Sequence, residues 1–181
     1  MRNQVSVLFT EDQIARRVAE LGEQITGAFA GKEICVLGLM KGSLVFLADL
    51  IRRIPLDLTV QLVRVTSQRE QAAGRILTEI VYSTPAPLEG RDVLLVDDIV
   101  DTGITLSYLL AHIHEQAPAS LRVCALVDKP EARKIDLHPD WTAFPVHEPM
   151  ADRFLVGYGL GWLERFRGLP FIGTIPRPAA R

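Results

Sequence analysis

The run Val93-Leu94-Leu95-Val96-Asp97-Asp98-Ile99-Val100-Asp101-Thr102-Gly103-Ile104-Thr105 sets three carboxylates and a Gly/Thr turn between an apolar stretch and a helix. Val93 to Val96 are apolar without alternation, which reads as a parallel strand covered on both faces. Asp97 and Asp98 then fall where that strand leaves the sheet, the edge at which open α/β sheets collect ligands. The turn Thr102-Gly103-Ile104-Thr105 offers backbone N–H groups and two hydroxyls at the start of a helix beginning near Leu106, where the partial positive charge of the helix end favours a phosphate dianion. Asp97, Asp98 and Asp101 are left to face hydroxyls or a cation on the same ligand. This is the layout of a sugar-phosphate site. Phospho-acceptor receiver domains also end a strand in Asp-Asp, but near the chain start and without a Gly/Thr turn. An acidic loop capping a helix would explain Asp101 or Thr102, not three carboxylates together.

The elements that position this segment can be read from periodicity. Thr10-Glu11-Asp12-Gln13 is a capping box, and Ile14, Val18, Leu21 and Ile25 continue at helical spacing to about Phe29. Ile34 to Leu39 reads as a buried strand, followed by a turn at Lys41-Gly42 and a helix stopped by Pro55. Strands are expected at Leu58 to Val65 and Ile76 to Tyr82, separated by a mobile loop over about 66–75 with no apolar period. A helix from about Thr105 to Gln116, a strand from Arg122 to Val127, and strands near Phe154 to Tyr158 and Phe171 to Ile175 complete the chain. The alternation predicts an α/β fold with a doubly wound, mostly parallel sheet flanked by helices. The stretch 145–175 is too irregular for that sheet and, with the N-terminal segment, is expected to form a small hood.

The 181 residues suffice for one domain with a sizeable core, and no linker or repeat suggests a second. A net charge of −2 argues against nucleic acid as a partner. Cys35 and Cys124 lie in apolar runs and read as core residues, in keeping with a reducing compartment. No apolar run approaches a membrane span, so the expected location is cytoplasmic.

The segment around Asp97 closely resembles the phosphoribosyl-pyrophosphate signature of type I phosphoribosyltransferases. Met40-Lys41-Gly42-Ser43, Asp128-Lys129-Pro130, Asp152 to Leu160 and Glu164 to Pro170 resemble, in order and spacing, the hypoxanthine-guanine branch over about residues 8–175. The resemblance implies transfer of phosphoribose to a purine base, with Asp97 and Asp98 at the ribose hydroxyls or on magnesium, and Asp101 as general acid or base. Thr102, Gly103, Ile104 and Thr105 would take the 5′-phosphate. Lys41, Gly42 and Arg167 would bind pyrophosphate, and the Met40–Lys41 peptide would be cis. Lys129 would read the purine O6, Phe154 would stack on the ring, and the Leu155 carbonyl would meet a 2-amino group. The partners implied are a purine base and phosphoribosyl pyrophosphate, in a homo-oligomer that is a dimer or a tetramer.

Two positions depart from the pattern. Gly161 stands where the family carries an aspartate that helps hold metal beside pyrophosphate, and Ser67-Gln68 stands where the lid carries Ser-Tyr. These departures leave room for a phosphoribosyl-pyrophosphate-sensing regulator that binds RNA or protein, or for a transferase of xanthine or a pyrimidine base. His112 and His114 are too close in sequence to share a helix face and are not expected to be ligands. Trp141 and Trp162 are expected to be packing residues.

Overall fold

The computed structural model describes residues 5–69, 76–83, 87–147 and 153–176, with backbone alone at 67–69 and 76–78. In chain order the elements are β1 (Ser6–Phe9), α1 (Glu11–Ala28), β2 (Ile34–Leu39), α2 (Leu44–Ile51), β3 (Leu58–Arg69), β4 (Ile76–Tyr82), β5 (Asp92–Val100), α3 (Ile104–His114), β6 (Ser120–Asp128), β7 (Trp141–Pro145), β8 (Arg153–Val156) and β9 (Ile172–Pro176). Six strands form the main sheet in the order β4-β3-β2-β5-β6-β7, parallel throughout except for the β3/β4 pair.

Alternate residues of β5 serve opposite faces. Leu94 and Val96 pack with Ile14, Val18, Leu21 and Ile25 of α1 and with Phe46 and Leu50 of α2, whereas Val93 and Leu95 pack with Leu106, Leu109 and Ile113 of α3. A strand sandwiched in this way has no solvent side, which is why its sequence shows no polar alternation. Cys35 and Cys124 are both free and buried, and they belong to opposite faces of the sheet. The α1 helix starts with the expected box: Thr10 Oγ1 accepts from Gln13 N–H at 3.3 Å, and Gln13 Oε1 accepts from Thr10 N–H at 2.8 Å.

The chain leaves β2 for β3 on one side and returns to β5 on the other, so the sheet order reverses between β2 and β5. At such a switch point the loops after the two strands diverge and open a crevice. The loops concerned are 40–43 and 101–103. Above them stands a separate antiparallel sheet, β1-β9-β8, in which Ser6 pairs with Thr174 and Leu155 with the same Thr174 from the other side.

Several elements differ from the sequence expectation. β5 runs four residues past Val96, because β6 continues beside it to the pairs Ile99–Val127 and Val100–Asp128, while β2 stops at Gly38–Val96. Asp97 and Asp98 therefore lie on a strand that has lost one neighbour, not beyond its end. Thr66 to Arg69, expected in a mobile loop, extend β3 and pair with Ile76 to Glu79; residues 70–75 lie outside the described set. β7 was not foreseen: Trp141 to Pro145 pair parallel to β6 at the sheet edge. α2 ends at Ile51, three residues before Ile54-Pro55. Among the described residues no helix is long and apolar enough to cross a membrane.

Candidate active site

The acidic trio and the Gly/Thr turn line one cavity of about 200 Å³, bounded by Leu39, Asp97, Asp98, Asp101, Thr102, Gly103 and Thr105, among others. Gly103 precedes α3 with φ 82°, a left-handed conformation that glycine adopts without steric cost, and Thr102 Oγ1 accepts from Ile104 N–H at 3.4 Å. A larger cavity of about 620 Å³ lies elsewhere, between α1, α2 and the segment Arg167 to Pro170. The smaller one lies at the sheet's switch point, where Asp97, Asp98 and Asp101 stand beside the N-terminus of α3.

Asp97 is 4% exposed, and its Oδ1 accepts from Asp98 N–H at 2.8 Å; Asp98 Oδ1 accepts from Ile99 N–H at 3.0 Å. Burial, together with the neighbouring charge of Asp98, pushes the Asp97 carboxyl well above the usual carboxylate range. Burial also raises Asp98, opposed by its hydrogen bonds and by the charge of Arg167. Two adjacent carboxylates that burial disfavours as anions fit a divalent cation delivered with ligand oxygens, as magnesium is usually held. Among the described residues no group of three or more His, Cys, Asp or Glu side chains could hold a metal by itself.

Loop 40–43 is pinned to the end of β2: Ser43 Oγ donates to Leu39 O at 2.6 Å, Met40 N–H donates to Val63 O at 2.8 Å, and the Met40–Lys41 peptide is cis. Lys41 Nζ donates to Glu164 Oε2 at 3.1 Å, and Glu164 Oε1 lies 3.4 Å from Arg167 Nη2. Arg167 Nη1 donates to Gly159 O at 2.8 Å. Gly159, at φ 94°, approaches so closely that a Cβ on it would lie 2.3 Å from Gly42 O. The segment 157–168 is thereby seated on loop 40–43, with Lys41, Glu164 and Arg167 together at the junction. Gly161 brings no carboxylate there, and among the described residues Glu164, the carboxylate that bridges this junction, is already paired with Lys41 and Arg167.

Lys129 follows β6 and donates its N–H to Val100 O at 3.0 Å, which puts it at the same sheet edge as Asp101. Phe154 and Leu155 lie on β8; Leu155 is buried, and the Phe154 ring packs against Trp162 with centroids 4.2 Å apart. Ser67 and Gln68 are placed only as backbone, on β3. Trp162, expected as a packing residue, packs on Phe154 itself. Sequence reasoning passed over Arg133 altogether. Its side chain donates to Leu137 O at 2.9 Å, to Val100 O at 2.8 Å, to Asp101 O and to the Asp128 carboxylate, so it braces the loop that carries Asp101. No local pattern marks this role, since every partner except Leu137 and Asp128 lies about thirty residues away in sequence.

A mostly parallel sheet with a carboxylate pair and a Gly/Thr turn at its switch point, beside loops that bring Lys41 and Arg167 together, has the layout expected of a sugar-phosphate site. Residues 4–161 match the phosphoribosyl transferase domain family, and the chain belongs to that family. Within it the chain falls in the hypoxanthine-guanine branch. It is 37% identical to the hypoxanthine-guanine phosphoribosyltransferase of Bacillus subtilis (strain 168), covering 96% of this chain and 93% of that protein. It is 34% identical to the hypoxanthine phosphoribosyltransferase of Haemophilus influenzae, covering 96% and 97%. A crystal structure of a hypoxanthine phosphoribosyltransferase from Staphylococcus aureus superposes with a TM-score of 0.86 at 34% identity, covering 97% of this chain and 94% of that one.

Proposed function

We propose that the protein is a purine-salvage enzyme joining hypoxanthine or guanine to phosphoribosyl pyrophosphate, giving IMP or GMP and pyrophosphate. A bond forms between a base nitrogen and the ribose C1, the C1–pyrophosphate bond breaks, and the base gives up one proton. The observation that carries the reading is the single cavity shared by Asp97, Asp98, Asp101 and the Thr102-to-Thr105 turn. Thr102, Gly103, Ile104 and Thr105 hold the 5′-phosphate at the start of α3. Asp97 and Asp98 fix the ribose hydroxyls, directly or through magnesium, which when bound shields ligand oxygens and holds them in place. Asp101 handles the base proton as general acid or base. Lys41, with Gly42 beside it, and Arg167 meet the negative charge that grows on departing pyrophosphate. One such preorganised donor is typically worth about 2.7–4 kcal/mol of transition-state stabilisation.

Lys129 donates to the purine O6, Phe154 stacks on the ring, and the Leu155 carbonyl accepts from a 2-amino group. The β3/β4 ribbon, with Ser67 and Gln68 near its tip, serves as the lid over the reaction centre. The enzyme works in the cytoplasm as a homo-oligomer, either a dimer or a tetramer, and needs no nucleic acid. Incubation with labelled bases, phosphoribosyl pyrophosphate and magnesium tests the reading. IMP and GMP should form with one pyrophosphate released per nucleotide, and failure to make nucleotide from any base overturns it.

A further inference from the structure

Arg167 lies flat across Gly161. A Cβ on residue 161 would come within 2.8 Å of Arg167 Cζ and 2.9 Å of both Cγ and Nε, so any side chain there displaces the guanidinium. The seat is fixed at one end by the bond to Gly159 O, while Nε is buried without a hydrogen-bond partner among the described residues. Glu164 bridges Arg167 and Lys41, at 3.4 and 3.1 Å. It sits in a two-residue turn closed by mutual Trp162–Arg165 backbone bonds, with Leu163 at φ 47° and Glu164 at φ 61°, conformations that favour Gly or Asn. Glu164 is 67% exposed, so its ion pairs are weak and a polyanion of higher charge competes for both cations. Its two carboxylate oxygens are directed at the two cations, Oε2 at Lys41 Nζ and Oε1 at Arg167 Nη2.

We propose that this end of the crevice neutralises pyrophosphate with Lys41 and with Arg167 seated on Gly161, in place of a second protein-held magnesium ion, so that pyrophosphate binds without metal. The inference rests on the assignment of Lys41 and Arg167 to pyrophosphate made above. A guanidinium suits the task because its planar fork presents several donors to phosphate oxygens at once. Gly161 contributes by packing alone: it leaves the volume in which that fork lies.

The test is calorimetric titration of inorganic pyrophosphate into the full-length protein, with magnesium and with EDTA, for the wild type and for Arg167→Met, Arg167→Lys and Gly161→Asp, each checked for fold by circular dichroism. Wild-type affinity should change by no more than about threefold when magnesium is removed, and Arg167→Met should lose about tenfold or more in EDTA, the scale of a charge-assisted contact. Arg167→Lys should lose less than Arg167→Met but more than nothing, since it keeps the charge without the fork. Gly161→Asp, which evicts the guanidinium and adds a carboxylate, should bind well only with magnesium. Wild-type binding that collapses in EDTA while Arg167→Met still weakens binding in magnesium overturns the inference and leaves the site assignment standing. Indifference of pyrophosphate to both Arg167 variants removes the assignment and the inference together.

Discussion

The Asp98 carboxylate occupies the space in which a side chain on residue 42 would begin: a Cβ built on Gly42 would lie 1.5 Å from Asp98 Oδ2 and 2.4 Å from its Cγ. Loop 40–43 and the Asp98 carboxylate, proposed above to meet pyrophosphate and ribose, are thus fitted against each other with no atom between them. Gly42→Ala should push Asp98 aside without unfolding the protein. A displacement of about 1 Å at a reacting centre can cost about 100-fold, and kcat/KM for nucleotide formation should fall on that scale. An alanine variant with wild-type kcat/KM would show that Asp98 need not stay where it is.

Arg133 and Asp128 form a nearly buried ion pair, with side chains 9% and 13% exposed. Removing one partner of such a pair leaves an uncompensated buried charge and typically costs about 3–5 kcal/mol. Arg133→Met should lower the urea midpoint accordingly. It should also slow turnover at saturating substrate, because Val100 and Asp101 lose the donor that braces their carbonyls. Loss of stability with unchanged kcat would confine Arg133 to a purely structural part.

Burial raises the Asp97 carboxyl above its unfolded value of about 3.9, so the folded state prefers it neutral. The stability tied to that preference is complete below the unfolded pKa and is lost as pH rises through the higher folded pKa. At neutral pH the wild-type protein in metal-free buffer therefore bears a cost at Asp97 that it does not bear in acid. Asp97→Asn removes that cost while keeping the oxygen that accepts from Asp98 N–H. Its melting temperature should equal or exceed that of the wild type at pH 7, with the gap closing toward pH 4, although nucleotide formation is lost. A variant less stable than the wild type at pH 7 and equal to it at pH 4 would contradict the sign.

With Lys129 facing the purine O6 as proposed, base choice follows from that residue. A 6-oxo purine satisfies its ammonium, whereas a 6-amino purine sets donor against donor. A site built around one polar partner can discriminate by as much as about 10⁴-fold, and adenine should be rejected to that degree in competition assays against hypoxanthine. Lys129→Gln, which offers both a donor and an acceptor, should narrow the gap. Comparable turnover of adenine by the wild type would remove the role given to Lys129.

Much of this was legible in the chain because it is local. The capping box at Thr10, the unbroken apolar runs of β2 and β5, and the acidic strand end followed by a Gly/Thr turn are each set by neighbours within one or two turns of backbone, where spacing alone dictates which way side chains point. The order of those pieces was enough to give a mostly parallel sheet with helices on both faces and to gather Asp97, Asp98, Asp101 and Thr102 at one edge.

Other features depend on partners that no local period can announce. β5 reaches Val100 only because β6 runs beside it, β1 is a strand only because β9 returns some 165 residues later, and β7 exists by pairing along the outer edge of β6. Arg133 gains its purpose from carbonyls on another strand, and Gly42, Gly159 and Gly161 from the atoms pressed against them. The sequence by itself determined which residues could carry the chemistry, since residue type and short-range spacing decide that. Only the tertiary structure decided how closely the loops bearing them approach, because backbone pairing and side-chain packing are satisfied across the sheet and not along the chain.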